Sequence, residues 1–88
     1  MRTPLSMNEE TMWTTIDEWF KDNIAENEAV TTVAEGGASV GIRYWRITKG
    51  KLIQRELDIN KQLLQKLNEN TIKTIMADII EIFRMADE

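Results

Sequence analysis

The sequence predicts an α+β domain in the order α-β-β-β-α, a three-stranded antiparallel meander with N- and C-terminal helices packed on one face. Three observations predict it. Apolar residues recur at helical spacing near both ends of the chain. The middle changes to short β-branched runs. Gly36-Gly37 and Lys49-Gly50 punctuate that middle at hairpin distances.

The first helix is expected over about 7–26. Ser6-Met7-Asn8-Glu9 fits a capping box, in which the Ser6 hydroxyl accepts the Glu9 amide and the Glu9 carboxylate reaches back. Glu9 and Glu10 also suit the positive end of the helix dipole. Trp13, Ile16, Phe20 and Ile24 follow at spacings of 3, 4 and 4, so one stripe turns inward, with Met12 and Trp19 at its flanks.

Strands are expected at Ala29–Ala34, Ser39–Ile47 and Leu52–Ile59. A two-residue loop at Lys49-Gly50 fixes the second hairpin, pairing Thr48 with Lys51 and, at the far end, Ile42 with Leu57. Side chains alternate, so Val40, Ile42, Tyr44, Ile53, Leu57 and Ile59 collect on a core face. The other face carries Arg43 opposite Glu56, Trp45 beside Gln54, and Ile47 opposite Leu52. A bulge at Gly41 would exchange the two sets.

The last element is expected to be one long, bent helix from a cap at Asp58 or Asn60 to about Ala86. Leu64, Ile72, Ile75, Ile79, Ile82 and Phe83 form its inward stripe. Asn68 falls inside that stripe, and the alternative is a break at Asn68-Glu69-Asn70-Thr71 with Asn70 capping a second segment. The whole chain, 1–88, is expected to form one domain with residues 1–5 as a flexible N-terminus, because its one Pro is at position 4 and no linker composition follows.

Composition excludes several functions. The 88 residues include 11 Lys plus Arg and 15 Asp plus Glu but no His and no Cys, which removes His- or thiolate-based catalysis and ordinary zinc sites. Gly36-Gly37-Ala38-Ser39-Val40-Gly41 has the glycines of a phosphate cradle without its Lys. Asp17/Glu18 and Asp87/Glu88 are adjacent pairs that point apart on a helix, and Glu26, Glu28 and Glu35 lack the ligand spacing of a calcium loop. These acids read as solvated. No enzyme activity, cofactor or metal is expected. With no signal-like start and no apolar run of about 18 residues, a cytoplasmic protein that does not meet the membrane is expected.

The net charge of −4 is segregated. Residues 1–42 carry −6, residues 43–55 carry +5 and no acid, and residues 56–88 carry −3. The second hairpin is therefore a cationic projection on an acidic body. Its candidate partner-binding residues are Arg43, Trp45, Arg46, Ile47, Lys49, Lys51 and Leu52, since an exposed Trp flanked by Arg is typical of interface hot spots. A solvated ribbon whose charges guard the sheet against aggregation stays open, as does nucleic-acid binding through residues 43–55. On the last helix Met76, Ile80 and Met85 fall outside the main stripe, which suggests self-association, and a homodimer interface is expected at Met76, Ile80 and Phe83, the last of them shared with the stripe.

Helix, three antiparallel strands, helix resembles the order of double-stranded-RNA-binding domains, which a lysine cluster opening the second helix identifies. The matching stretch here, Asn60-Lys61-Gln62-Leu63-Leu64-Gln65, has one lysine and no glycine-rich approach, so the resemblance implies topology and no function. In size and charge the chain is similar to virus-encoded inhibitors of bacterial enzymes and to immunity proteins. The expected function is a small acidic regulator, inhibitor or adaptor that docks on a protein.

Overall fold

The computed structural model describes residues 8–85. The chain runs α1 (Glu9–Asn23), β1 (Glu28–Glu35), β2 (Ser39–Thr48), β3 (Lys51–Asn60), α2 (Lys61–Gln65) and α3 (Glu69–Met85). The three strands form one antiparallel sheet in the order β1-β2-β3. The predicted α-β-β-β-α order is present, with the last helical element in two pieces. Residues 1–5 and the capping Ser6 lie outside the described residues, as do Ala86, Asp87 and Glu88.

The cap of α1 is Asn8, whose side-chain oxygen accepts the Thr11 amide at 2.8 Å. Glu9 instead accepts from Lys61 Nζ at 3.0 Å and from Trp13 Nε1, which ties the start of α1 to α2. The inward stripe is Met12, Ile16 and Phe20, one helical turn apart, with Trp13, Trp19 and Ile24 packed at its margins. Met12, expected at the flank, is at the centre.

The second hairpin has the expected register from Thr48↔Lys51 to Ile42↔Leu57. Lys49 and Gly50 both have positive φ, 53° and 75°, the geometry of the tight turn whose twist matches that of the strands. No bulge occurs at Gly41, which pairs with Val33 and Asp58. Its glycine has a steric cause: a Cβ there would lie 2.8 Å from Val33 Cγ2 and 3.0 Å from Glu35 Oε2.

One face of the sheet presents Val40, Ile42, Tyr44 and Ile53 to the helices, where they join Met12, Ile16, Phe20, Leu64, Ile72, Met76, Ile79, Ile80 and Phe83 in the core. Leu57 departs from expectation. It keeps the predicted parity but is 40% exposed, because β3 is an edge strand.

The long final helix is interrupted. Asn60 caps α2 by accepting the Leu63 amide at 3.0 Å, and α2 closes with Lys66 N–H donating to Leu63 O. Asn68, rather than Asn70, caps α3: its side chain accepts the Thr71 amide at 2.8 Å. The break restarts the helical phase. Ile72, Met76, Ile79, Ile80 and Phe83 then turn inward, while Ile82, roughly 100° round the axis from them, is 62% exposed. Met76, Ile80 and Phe83 are therefore enclosed within the protomer and do not form the expected dimer surface.

Paired substitutions check this phase. Ile80→Ala should cost about 2–5 kcal/mol in urea unfolding, and Ile82→Ala less than about 0.5 kcal/mol. Comparable losses would mean that the stripe follows an unbroken helix instead.

Candidate functional site

The two faces of the sheet carry different chemistry. On the helix-facing side, β1 and β2 bring Glu28 beside Tyr44 and Arg46. The Glu28 side chain is only 2% exposed. Arg84, near the end of α3, donates to it twice, from Nε and Nη2, both at 2.7 Å. The Ala25 amide donates at 2.8 Å, and the Tyr44 hydroxyl donates as well. Arg46 Nη1 in turn donates to the Tyr44 oxygen at 2.9 Å and to Phe83 O at 3.4 Å. The Tyr44 ring stacks on Phe83 with centroids 5.2 Å apart.

This arrangement sets the charge states. The Arg84 guanidinium, aided by the Ala25 amide and the Tyr44 hydroxyl, outweighs the cost of burial and holds the Glu28 carboxyl down to about 2. Burial, reinforced by Glu28, pushes the Tyr44 hydroxyl up. Glu28 in return holds the Arg84 guanidinium more firmly protonated. Glu28, expected as a solvated acid, is the hub of the buried polar network. Its signal in the sequence was parity, since the Gly36-Gly37 hairpin places it on the face of Tyr44 and Arg46.

The opposite face of the sheet has no layer over it among the described residues. Its rows run Ile47–Leu52, then Ala29–Trp45–Gln54, then Thr31–Arg43–Glu56, then Val33–Gly41–Asp58. Ile47 and Leu52 are 61% and 65% exposed, Trp45 is half-buried beside them, and all three lie outside the core. The Asn27 side-chain amide donates to Ile47 O at 2.9 Å and fixes the base of this tip. Lys49 and Lys51 stand exposed at and beside the turn.

The predicted partner-binding residues thus divide. Trp45, Ile47 and Leu52 come together on the uncovered face at the tip, with Lys49 exposed in the turn and Lys51 exposed beside it on the parity of Ile53. Arg43 lies further back on the same face, bridging Glu35 at 3.0 Å and Glu56 at 3.7 Å. Arg46 is 8% exposed on the other side of the sheet and is no part of this surface. Its even-numbered parity with Val40, Ile42 and Tyr44 sends it toward the helices.

No protein-family model matches the chain, and no curated protein or solved structure matches it either. No helix among the described residues is long and apolar enough to cross a membrane.

The Glu28 network makes a pH prediction. Because the folded carboxyl titrates near 2 rather than near 4.5, its stabilisation is complete above about pH 5 and is lost as pH falls through the folded value. Allowing for the half-exposed Arg84, the loss is on the order of 2 kcal/mol. Urea unfolding between pH 7 and pH 2 should show this decline. Glu28→Gln should be less stable at pH 7 and flatter across the same range; equal slopes would contradict the assignment.

Proposed function

We propose that this protein is a non-enzymatic binding module, a regulator, inhibitor or adaptor that docks on another protein through the tip of its uncovered sheet face. The observation that carries this reading is the exposure of Ile47 and Leu52, directly opposite each other and beside a half-buried Trp45. An aromatic anchor among aliphatic side chains, rimmed by charge, is the usual composition of a hot spot. Lys49 and Lys51 at the rim call for a partner with an acidic margin, and opposite charge there would speed encounter.

Charge placement favours a protein over a nucleic acid. Of the five cations in 43–55, Arg46 is buried against Tyr44 and Phe83, and Arg43 is bridged by two carboxylates. The remaining three, Lys49, Lys51 and Arg55, make a small cationic edge on a chain of net charge −4, a poor match for a polyanion.

The test uses paired baits, the parent and an Ile47→Asp/Leu52→Asp variant, for affinity capture from the cells the protein comes from, with mass spectrometry of what is retained. A protein held by the parent and lost from the variant supports the reading; identical sets contradict it. With that protein purified, Trp45→Ala should weaken binding roughly 30-fold or more, with the melting midpoint within a few degrees of the parent. A mobility shift on duplex DNA, single-stranded DNA or RNA at low salt, abolished by Lys49→Glu/Lys51→Glu, would favour the nucleic-acid reading instead.

A further inference from the structure

The two edges of the sheet are built differently. At β3, the pair Thr48↔Lys51 closes the two-residue turn, so Leu52, Gln54, Glu56 and Asp58 direct their backbone groups outward. That edge is guarded. Arg55 Nη1 donates to Gln54 O at 2.8 Å, and Lys51, Arg55, Glu56 and Asp58 line the strand with charge.

At β1, Ile47 N–H donates to Asn27 O at 3.0 Å, so by alternation Glu28, Val30, Thr32 and Ala34 direct their backbone groups away from the sheet. Among the described residues no backbone hydrogen bond reaches those of Val30, Thr32 or Ala34. The run Ala29-Val30-Thr31-Thr32-Val33-Ala34 holds no charge and no proline, and it is unbroken by a bulge. An unguarded, β-branched edge of this kind is a template for strand addition.

We infer that β1 pairs antiparallel with β1 of a second copy about a two-fold axis through Thr31, joining two sheets into one of six strands. The inference concerns a different surface from the docking tip, and neither stands on the other. A two-fold perpendicular to the sheet keeps helices with helices, so odd-numbered residues face odd and even face even. Centring the axis on Thr31 pairs residues 28–34 with their copies and rests the new ladder on Val30, Thr32 and Ala34, since the Glu28 N–H already donates to Ala25 O. It sets Val30 opposite Thr32, Ala29 opposite Val33 and Thr31 opposite its own copy, with no like charges in register.

The helix layer argues for a second copy as the occupant. α1 lies over β1, with Thr32 Oγ1 donating to Asp17 Oδ1 at 2.7 Å. A groove of about 290 Å³ opens between them, lined by Asp17, Phe20, Lys21, Ile24, Val30 and Thr32. α1 runs antiparallel to β1, so Lys21 stands one turn from Asp17 toward Val30, and it has no ion pair among the described residues. The axis at Thr31 falls between those levels. It therefore carries Lys21 of each copy toward Asp17 of the other, a reciprocal pairing of opposite charges, beside the apolar floor of Phe20, Ile24 and Val30.

The chain contains no Cys, which gives a direct test. Across the new ladder Thr31 meets its copy as a non-hydrogen-bonded pair, with Cα atoms about 4.5 Å apart, within reach of a disulfide. Sedimentation equilibrium at about 100 µM should give twice the 10.2 kDa of one chain. Thr31→Lys, which sets two cations face to face, should give the single-chain mass. Under mild oxidant Thr31→Cys should cross-link at least tenfold faster than Gln54→Cys, placed on the same face at β3. A parent that stays monomeric, or cross-linking equal at the two positions, would overturn the inference. Were Thr31→Lys unable to fold, the comparison of cysteines decides alone.

Discussion

Side chains alternate along an extended strand, so β1, β2 and β3 must present two chemically different faces, and α1, α2 and α3 all pack on the same one. The core residues Val40, Ile42, Tyr44 and Ile53 share one parity across the paired strands, and Trp45, Ile47 and Leu52 share the other. This partition decides which residues hold the fold and which remain free to meet something else. A one-residue slip of β3 would reverse the assignment along that strand.

The buried network around Glu28 makes the partition specific. A carboxylate this enclosed is tolerable only where fixed donors surround it, and here they come from the loop before β1, from β2 and from α3. The end of α3 is thereby tied to the sheet by directional bonds as well as by the stacking of Phe83 on Tyr44. Recruiting Arg46 to this side also changes the character of the second hairpin. What composition shows as a ribbon of five cations is, in three dimensions, an apolar tip with two lysines beside its turn, while Arg43 bridges two carboxylates and Arg55 lies along the β3 edge.

The sequence announced those parts of the fold governed by local chemistry. Lys49-Gly50 set the register of the second hairpin because a two-residue turn leaves one pairing, and Asn60 acted as a cap because its side chain replaces an amide's missing acceptor. What escaped depends on contacts between distant segments. Glu28 and Arg84 meet across 56 positions of sequence; parity puts Glu28 on the face of Tyr44, but nothing local to either residue brings Arg84 to it. The inward face of α3 escapes a sequence reading because its phase depends on where a new helix starts, and by residue type Asn68 and Asn70 are equally good caps. At the candidate site, strand parity alone separated Trp45, Ile47 and Leu52 from the core. The same parity withdraws Arg46, which donates to the Tyr44 hydroxyl and Phe83 O on the helix-facing side.

The two-faced sheet is tested most directly by solution NMR of the methyl groups with a neutral paramagnetic co-solute, which broadens signals according to their distance from solvent. The account predicts strong broadening at Ile47 and Leu52 and little at Val40, Ile42 and Ile53, alternating residue by residue along β2 and β3. Equal protection of Ile47, Leu52 and Ile42 would mean that both faces are covered. The uncovered sheet face would then not exist.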